Sequence, residues 1–158
     1  MKKVMTHLPP ESFEAVCSRW EQLIKGFIGQ LSDENIPALA NAQWTYEKKH
    51  INVYPADSDG KKKRGARGPY FHSSISLNRN EANAVWGKFK QFSKEYGLNK
   101  IERLYNNEEL GWYDFEASNT NTGDQFSCGV RVPGEWSKAG IHLSMFIGPR
   151  YRSEDLHA

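Results

Sequence analysis

Only two cysteines occur in 158 residues, Cys17 and Cys128. That is too few, and too widely spaced, for a disulfide framework or a thiolate metal cage. Free cysteine is commonly a small buried hydrophobe, and the sequence leaves open whether these two are free or bridged. Long apolar runs are also missing, and no stretch reaches transmembrane length. Neither sign of charge dominates: 21 Lys and Arg stand against 19 Asp and Glu, a net charge of +2. Dedicated nucleic-acid binders usually carry a strong basic excess. The five histidines, His7, His50, His72, His142 and His157, are never two, three or four residues apart, as a local metal site requires. There is no G-x-S-x-G turn, no phosphate-cradling glycine loop and no zinc-protease helix. These absences predict a chain that is not an enzyme and takes no cofactor.

Met1-Lys2-Lys3 begins like the charged end of a signal peptide, but Leu8-Pro9-Pro10-Glu11 follows in place of an apolar segment. The chain as given is therefore expected to carry no signal peptide. It is either cytoplasmic or the mature part of a protein whose leader lies upstream.

What the chain does hold is aromatic: 13% Phe, Trp and Tyr, with five Trp. Such rings bury large areas, and 158 residues can build one core without disulfide or metal support. Phe13, Val16, Cys17, Trp20, Leu23, Ile24, Phe27, Ile28 and Leu31 recur at helical spacing. They predict a helix over 10–31, with Pro10 in its first turn. Aromatic and β-branched residues predict a strand over 43–53 and another over 70–77, joined by a Gly-, Asp- and Lys-rich loop over 55–69. Asn78 stands three residues before Glu81, the spacing of a capping box. Ala82, Val85, Trp86, Phe89, Phe92 and Tyr96 form the next helical stripe, and Gly97 is placed to end it. Strands are predicted over 101–105, 111–118, 125–132 and 141–147.

The fold class predicted is α+β, in the order α-β-β-α-β-β-β, with room for one more strand. Two amphipathic helices lie on one face of a mainly antiparallel sheet in a two-layer sandwich. Residues 1–9 are expected to be a flexible N-terminus, 10–148 the single domain, and 149–158 a flexible, frayed tail. The sheet's second face is expected to be partly open to solvent and to carry Tyr70, His72, Trp112 and Asp114.

Candidate binding residues fall in two groups. Lys61, Lys62, Lys63, Arg64 and Arg67 form a basic run. It suits an anionic surface but is read first as a solvated hairpin loop, since Asp57 and Asp59 dilute it. Tyr70, His72, Trp112 and Asp114 form the second group. Asp114 and Glu116 alternate along one strand, a pattern that can line a sugar groove but is more often a solvated sheet face. Two of the strand histidines can meet across the sheet, although one sequence does not show which strands are neighbours. No catalytic, metal-binding or cofactor-binding residue is assigned.

Several short motifs occur in a recognisable order: Gln43-Trp44-Thr45-Tyr46, Ser73-Ser74-Ile75-Ser76-Leu77, Lys94-Glu95-Tyr96-Gly97-Leu98, Leu104-Tyr105-Asn106 and Tyr113-Asp114-Phe115. Over residues 12–147 this order resembles the LppA-type actinobacterial lipoproteins, which are small, secreted and lipid-anchored. The chain departs from that pattern twice. The chain as given is expected to carry no leader ending in a lipid-modified cysteine, and Phe146-Ile147-Gly148 stands where the family has a late Gly-x-Cys strand. The resemblance implies an extracytoplasmic, envelope-associated binding or structural module, with no catalytic residue to transfer. It implies membrane contact only through a lipid anchor that this chain lacks. The alternative is an intracellular protein-interaction module, such as an immunity-type or antitoxin-like inhibitor. The partner expected is a protein or small ligand rather than nucleic acid.

Overall fold

Ser12 starts the first helix. In the computed structural model, which describes residues 8–135 and 137–156, the Ser12 hydroxyl accepts from the backbone N–H of Ala15 at 3.1 Å. Such a cap satisfies one of the free N–H groups at a helix start. The helix α1 therefore spans Phe13–Leu31 and leaves Pro10 outside it. Its buried side is Phe13, Val16, Cys17, Trp20, Ile24, Phe27 and Leu31.

The strand predicted over 43–53 is two strands, β1 (Thr45–Glu47) and β2 (His50–Tyr54), both antiparallel to β3 (Lys63–Ser73). The break between them lies opposite Gly68 and Pro69. Pro69 has no N–H to donate to the ladder, and Gly68 takes a φ of +104°.

β3 begins at Lys63, seven residues before the strand expected at 70, so Lys63, Arg64 and Arg67 belong to a strand rather than to a solvated loop. Local composition pointed to a loop. Pairing with β2 on one side and β7 (Gly140–Arg150) on the other overrides it.

The helix α2 (Arg79–Glu95) opens with the expected capping box. Asn78 Oδ1 accepts from the Glu81 N–H at 2.7 Å, and Glu81 Oε1 accepts from the Asn78 N–H at 3.0 Å. The second oxygen of Glu81 accepts from the Ala38 N–H at 3.0 Å, which ties α2 to the short 3-10 helix Pro37–Asn41. Gly97 follows with φ +82°.

Strands β4 (Lys100–Leu104), β5 (Trp112–Ser118) and β6 (Gln125–Arg131) complete the sheet, which runs β1-β3-β7-β6-β5-β4 with β2 also on β3. Every strand pair is antiparallel. The fold is α+β with two layers, and its order is α-β-β-β-α-β-β-β-β-α. Two strands exceed the expected order, one from the split of the first strand and one because four strands rather than three follow α2, and α3 is a further helix.

Alternation along the strands aims Tyr113, Phe115, Ala117, Phe126, Cys128, Val130, Ile141, Leu143, Met145 and Ile147 at the helices, and all are buried. Phe126 lies at the centre, with ring centroids of Phe89, Phe92 and Phe27 at 5.1, 5.4 and 5.5 Å.

Beyond 148, where the domain was expected to end, β7 continues to Arg150 and the short α3 (Ser153–Leu156) follows. Phe13 N–H donates to the Tyr151 carbonyl at 2.7 Å, and Ser153 N–H donates to Glu14 at 2.8 Å. These bonds pin this segment to the start of α1, so residues 149–156 are not frayed. The expectations for residues 1–7, including His7, and for residues 157–158, including His157, lie outside the described residues.

Candidate functional site

The helices cover one face of the sheet, and the residues that alternate with the core line the other. Register places Asp114 of β5 beside Gly129 of β6, Gly129 beside His142 of β7, and His142 beside His72 of β3. Gly129 makes the row possible. A Cβ there would lie 2.2 Å from His142 Cε1 and 3.0 Å from Asp114 Oδ1. The histidine and the carboxylate therefore fold over the glycine from opposite sides, where a side chain at 129 would exclude both.

One step along the strands, Arg131 pairs with Trp112. The Arg131 guanidinium donates to Asp114 Oδ1 at 3.0 Å and lies 5.2 Å from the Trp112 ring centroid. This geometry combines an ion pair with a cation–π contact. The Trp112 indole N–H is buried without an acceptor among the described residues. On the other flank, Tyr70 shares a row with Ser144, Ser127 and Glu116.

His142 titrates below the ordinary imidazole value. Desolvation by its crowded neighbours is the main cause, Arg131 and His72 add to it, and Asp114 opposes it. The ring is thereby held toward its neutral form, able to donate from one nitrogen and accept at the other. Three surface grooves have volumes of about 440, 420 and 660 Å³, and the first and third lie away from this row. The second touches this row through His72 and continues past Thr45, Gln43 and Ser74.

The structure thus brings Tyr70, His72, Trp112 and Asp114 onto one face. It disperses the basic run. Lys61 donates to the Asp155 carbonyl at 3.1 Å, and Lys62 is exposed. Lys63 is buried, with its ammonium 2.9 Å from Asp57 and 2.8 Å from Asp59. Arg64 turns under α1 into the 440 Å³ groove, whereas Arg67 is exposed. These five cations do not form one patch: Lys61 and Lys62 precede β3, and alternation along β3 sends Lys63 and Arg64 to opposite faces.

Arg131 was not singled out from sequence, and Gly129, which by local composition reads as a turn or strand-end glycine, lies in the middle of β6 with a partner on each side. Alternation along 125–132 puts them on the outward face, but nothing local shows that β6 lies between β5 and β7. Cys17 and Cys128 are free and buried. Burial raises both thiols, Cys17 to about 11, so neither is an activated thiolate. Among the described residues, no group of three or more His, Cys, Asp and Glu side chains is placed to hold a metal ion, and no helix is long and apolar enough to cross a membrane. No family model, curated protein or solved structure matches the chain.

Proposed function

We propose that this chain is a non-enzymatic binding module that recognises a partner through the open face of its sheet. The observation that carries this reading is the cross-strand row Asp114–Gly129–His142–His72 with Arg131 and Trp112 beside it, on the face opposite the described helices. Trp, Tyr and Arg are the side chains that most often anchor interfaces, and here they surround polar residues with unused hydrogen-bonding capacity. Catalysis by an acid–base pair favours a site closed to water, where charges act strongly. Asp114 is instead neutralised by Arg131 at 28–30% side-chain exposure, which suits recognition better than proton transfer. The setting proposed is the cell envelope, and it rests on the resemblance to LppA-type lipoproteins.

Site-specific photo-crosslinking in the source cell tests this. A crosslinker at Ser144, on the open face, is expected to give a discrete adduct that disappears with Trp112→Ala. A crosslinker at Lys94, on the exposed side of α2, is expected to give none. No adduct from Ser144, or one indifferent to Trp112, would overturn the proposal. Recovery of the adduct from the interior fraction, not the envelope, would favour an intracellular interaction module.

A further inference from the structure

Arg64 and Arg150 are direct register partners on β3 and β7. Two like charges placed opposite each other across a sheet repel. Arg150 is matched in charge: it makes bonds of 3.0 and 2.7 Å to the two oxygens of Asp124, although its own Nε–H is also buried without an acceptor among the described residues. Arg64 is not matched. It makes no hydrogen bond or ion pair among the described residues, and its Nε–H is buried without an acceptor. Buried donors are almost always satisfied, so an orphan of this kind needs an explanation.

Arg64 lines a groove of about 440 Å³ between α1 and β2. That size lies within the range of small-molecule sites, about 300–1,000 Å³. Lys49 also lines it, and it too has no ion-pair partner among the described residues. Two acidic residues stand on the helix side, and both are engaged. Glu14 accepts from the Ser153 N–H at 2.8 Å, and Glu21 takes the Tyr46 hydroxyl at 3.2 Å and Lys25 at 3.4 Å. On the sheet side the two cations have no ion-pair partner among the described residues; on the helix side Lys25 offsets Glu21, while Glu14, bonded to a backbone N–H, keeps its charge.

Phe13, Cys17 and Ile51 supply the apolar part of the lining. The Cys17 thiol, pushed up to about 11 mainly by burial, stays neutral and acts as apolar surface. Ile51 is 52% exposed although it sits in a strand beside a helix, and an apolar ligand in the groove would cover it.

We propose that this groove binds a small carboxylate with an apolar body. The carboxylate lies on the Arg64 guanidinium with Lys49 as second cation, and the body rests against Phe13, Cys17 and Ile51. The two Nη groups of Arg64, which unlike Nε are not buried, present N–H donors that match two carboxylate oxygens. The site is separate from the open sheet face and does not depend on the function proposed for it.

Phenylacetate is a suitable probe, followed by nuclear magnetic resonance on the whole chain. Saturable shifts are expected at Phe13, Ile51 and the Arg64 Nε–H at millimolar concentration. 2-Phenylethanol, which lacks the charge, and acetate, which lacks the body, are each expected to bind about tenfold or more weakly. Arg64→Gln is expected to weaken phenylacetate binding by about tenfold or more, while Trp112→Ala leaves it unchanged. If Arg64→Gln fails to fold, Lys49→Gln carries the test, with an expected loss of several-fold. Absence of saturable shifts, equal binding of 2-phenylethanol, or inorganic phosphate matching phenylacetate would each overturn the assignment.

Discussion

Arg150 and Asp124 form a two-point ion pair inside the protein, with 1% and 3% of their surfaces exposed. Asp124 Oδ1 also accepts from the Gly148 N–H at 2.9 Å, and Arg150 donates to the Gly148 carbonyl at 3.1 Å. The pair thus joins the turn before β6 to the far end of β7. The Coulomb attraction of such a pair is largely offset by desolvation, but removing one member strands the other. Asp124→Asn is therefore expected to destabilise the protein by about 3–5 kcal/mol. Asp124→Leu combined with Arg150→Met is expected to lose much less. Urea unfolding of the three proteins decides it, and equal losses in single and double variants would contradict this account.

Lys63 and Lys62 are adjacent cations with opposite environments. Lys63 sits against Asp57, Asp59 and the Lys61 carbonyl, all within 2.9 Å, and its ammonium lies 5.0 Å from the Tyr151 ring centroid. Lys63→Ala is expected to cost roughly 1–3 kcal/mol, the range for losing hydrogen bonds to charged groups. Lys62→Ala is expected to stay within about 0.5 kcal/mol of the parent. Midpoints of chemical denaturation measure both, and similar losses would show the run to be a uniform surface after all.

The depressed affinity of His142 for a proton makes stability depend on pH. In the unfolded chain this imidazole binds a proton with its ordinary affinity, near pH 6.5, and in the folded chain more weakly. Between the two values the unfolded state holds more protons, so stability rises with pH. The contribution is complete above about pH 6.5 and is lost as pH falls from there through the folded value. His142→Gln is expected to flatten this part of the profile. Urea midpoints at stepped pH, with the His142 ring proton followed by resonance, test the sign. A midpoint that rises on acidification through this window in the parent only would refute it.

Phe126 is fully buried, and its ring meets those of Phe27, Phe89 and Phe92 within 5.5 Å. Phe126→Ala is expected to destabilise by about 3–5 kcal/mol through lost burial and the cavity left behind. Phe126→Leu is expected to lose a smaller part of that. Calorimetric or urea unfolding separates them, and a loss below about 1 kcal/mol for Phe126→Ala would mean that the two layers do not pack as described.

The helices were legible because their signals are local. The spacing from Phe13 to Leu31 is a property of neighbouring turns, and the Asn78–Glu81 box closes within four residues. The C-terminal strands were legible from alternation between turn residues, and their observed ends fall within a few residues of those expected. The N-terminal end of β3 was not. Lys63, Arg64 and Gly65 have no strand preference of their own, and partners far away in sequence, β2 and β7, make them a strand. The end of the chain was misread for a related reason: Arg150 looks like a surface charge until Asp124 meets it.

The candidate site divides in the same way. Alternation within β5 already put Trp112 and Asp114 on one side of their strand, and the same rule paired Tyr70 with His72. That these two pairs share a face with His142 and Arg131 depends on strand order. β7 lies between β3 and β6, although it is last in sequence.

The sequence by itself therefore determined the amphipathic stripes, the caps and the outward side of each strand, since these follow from backbone periods and short-range hydrogen bonds. Only the tertiary structure decided that His72 meets His142, that His142 and Asp114 fold over Gly129, and that Arg64 stands in a groove with no partner among the described residues. Those relationships require strands to be stacked in a particular order, and that order is set by burying one continuous apolar layer, to which every strand contributes and which no single segment encodes.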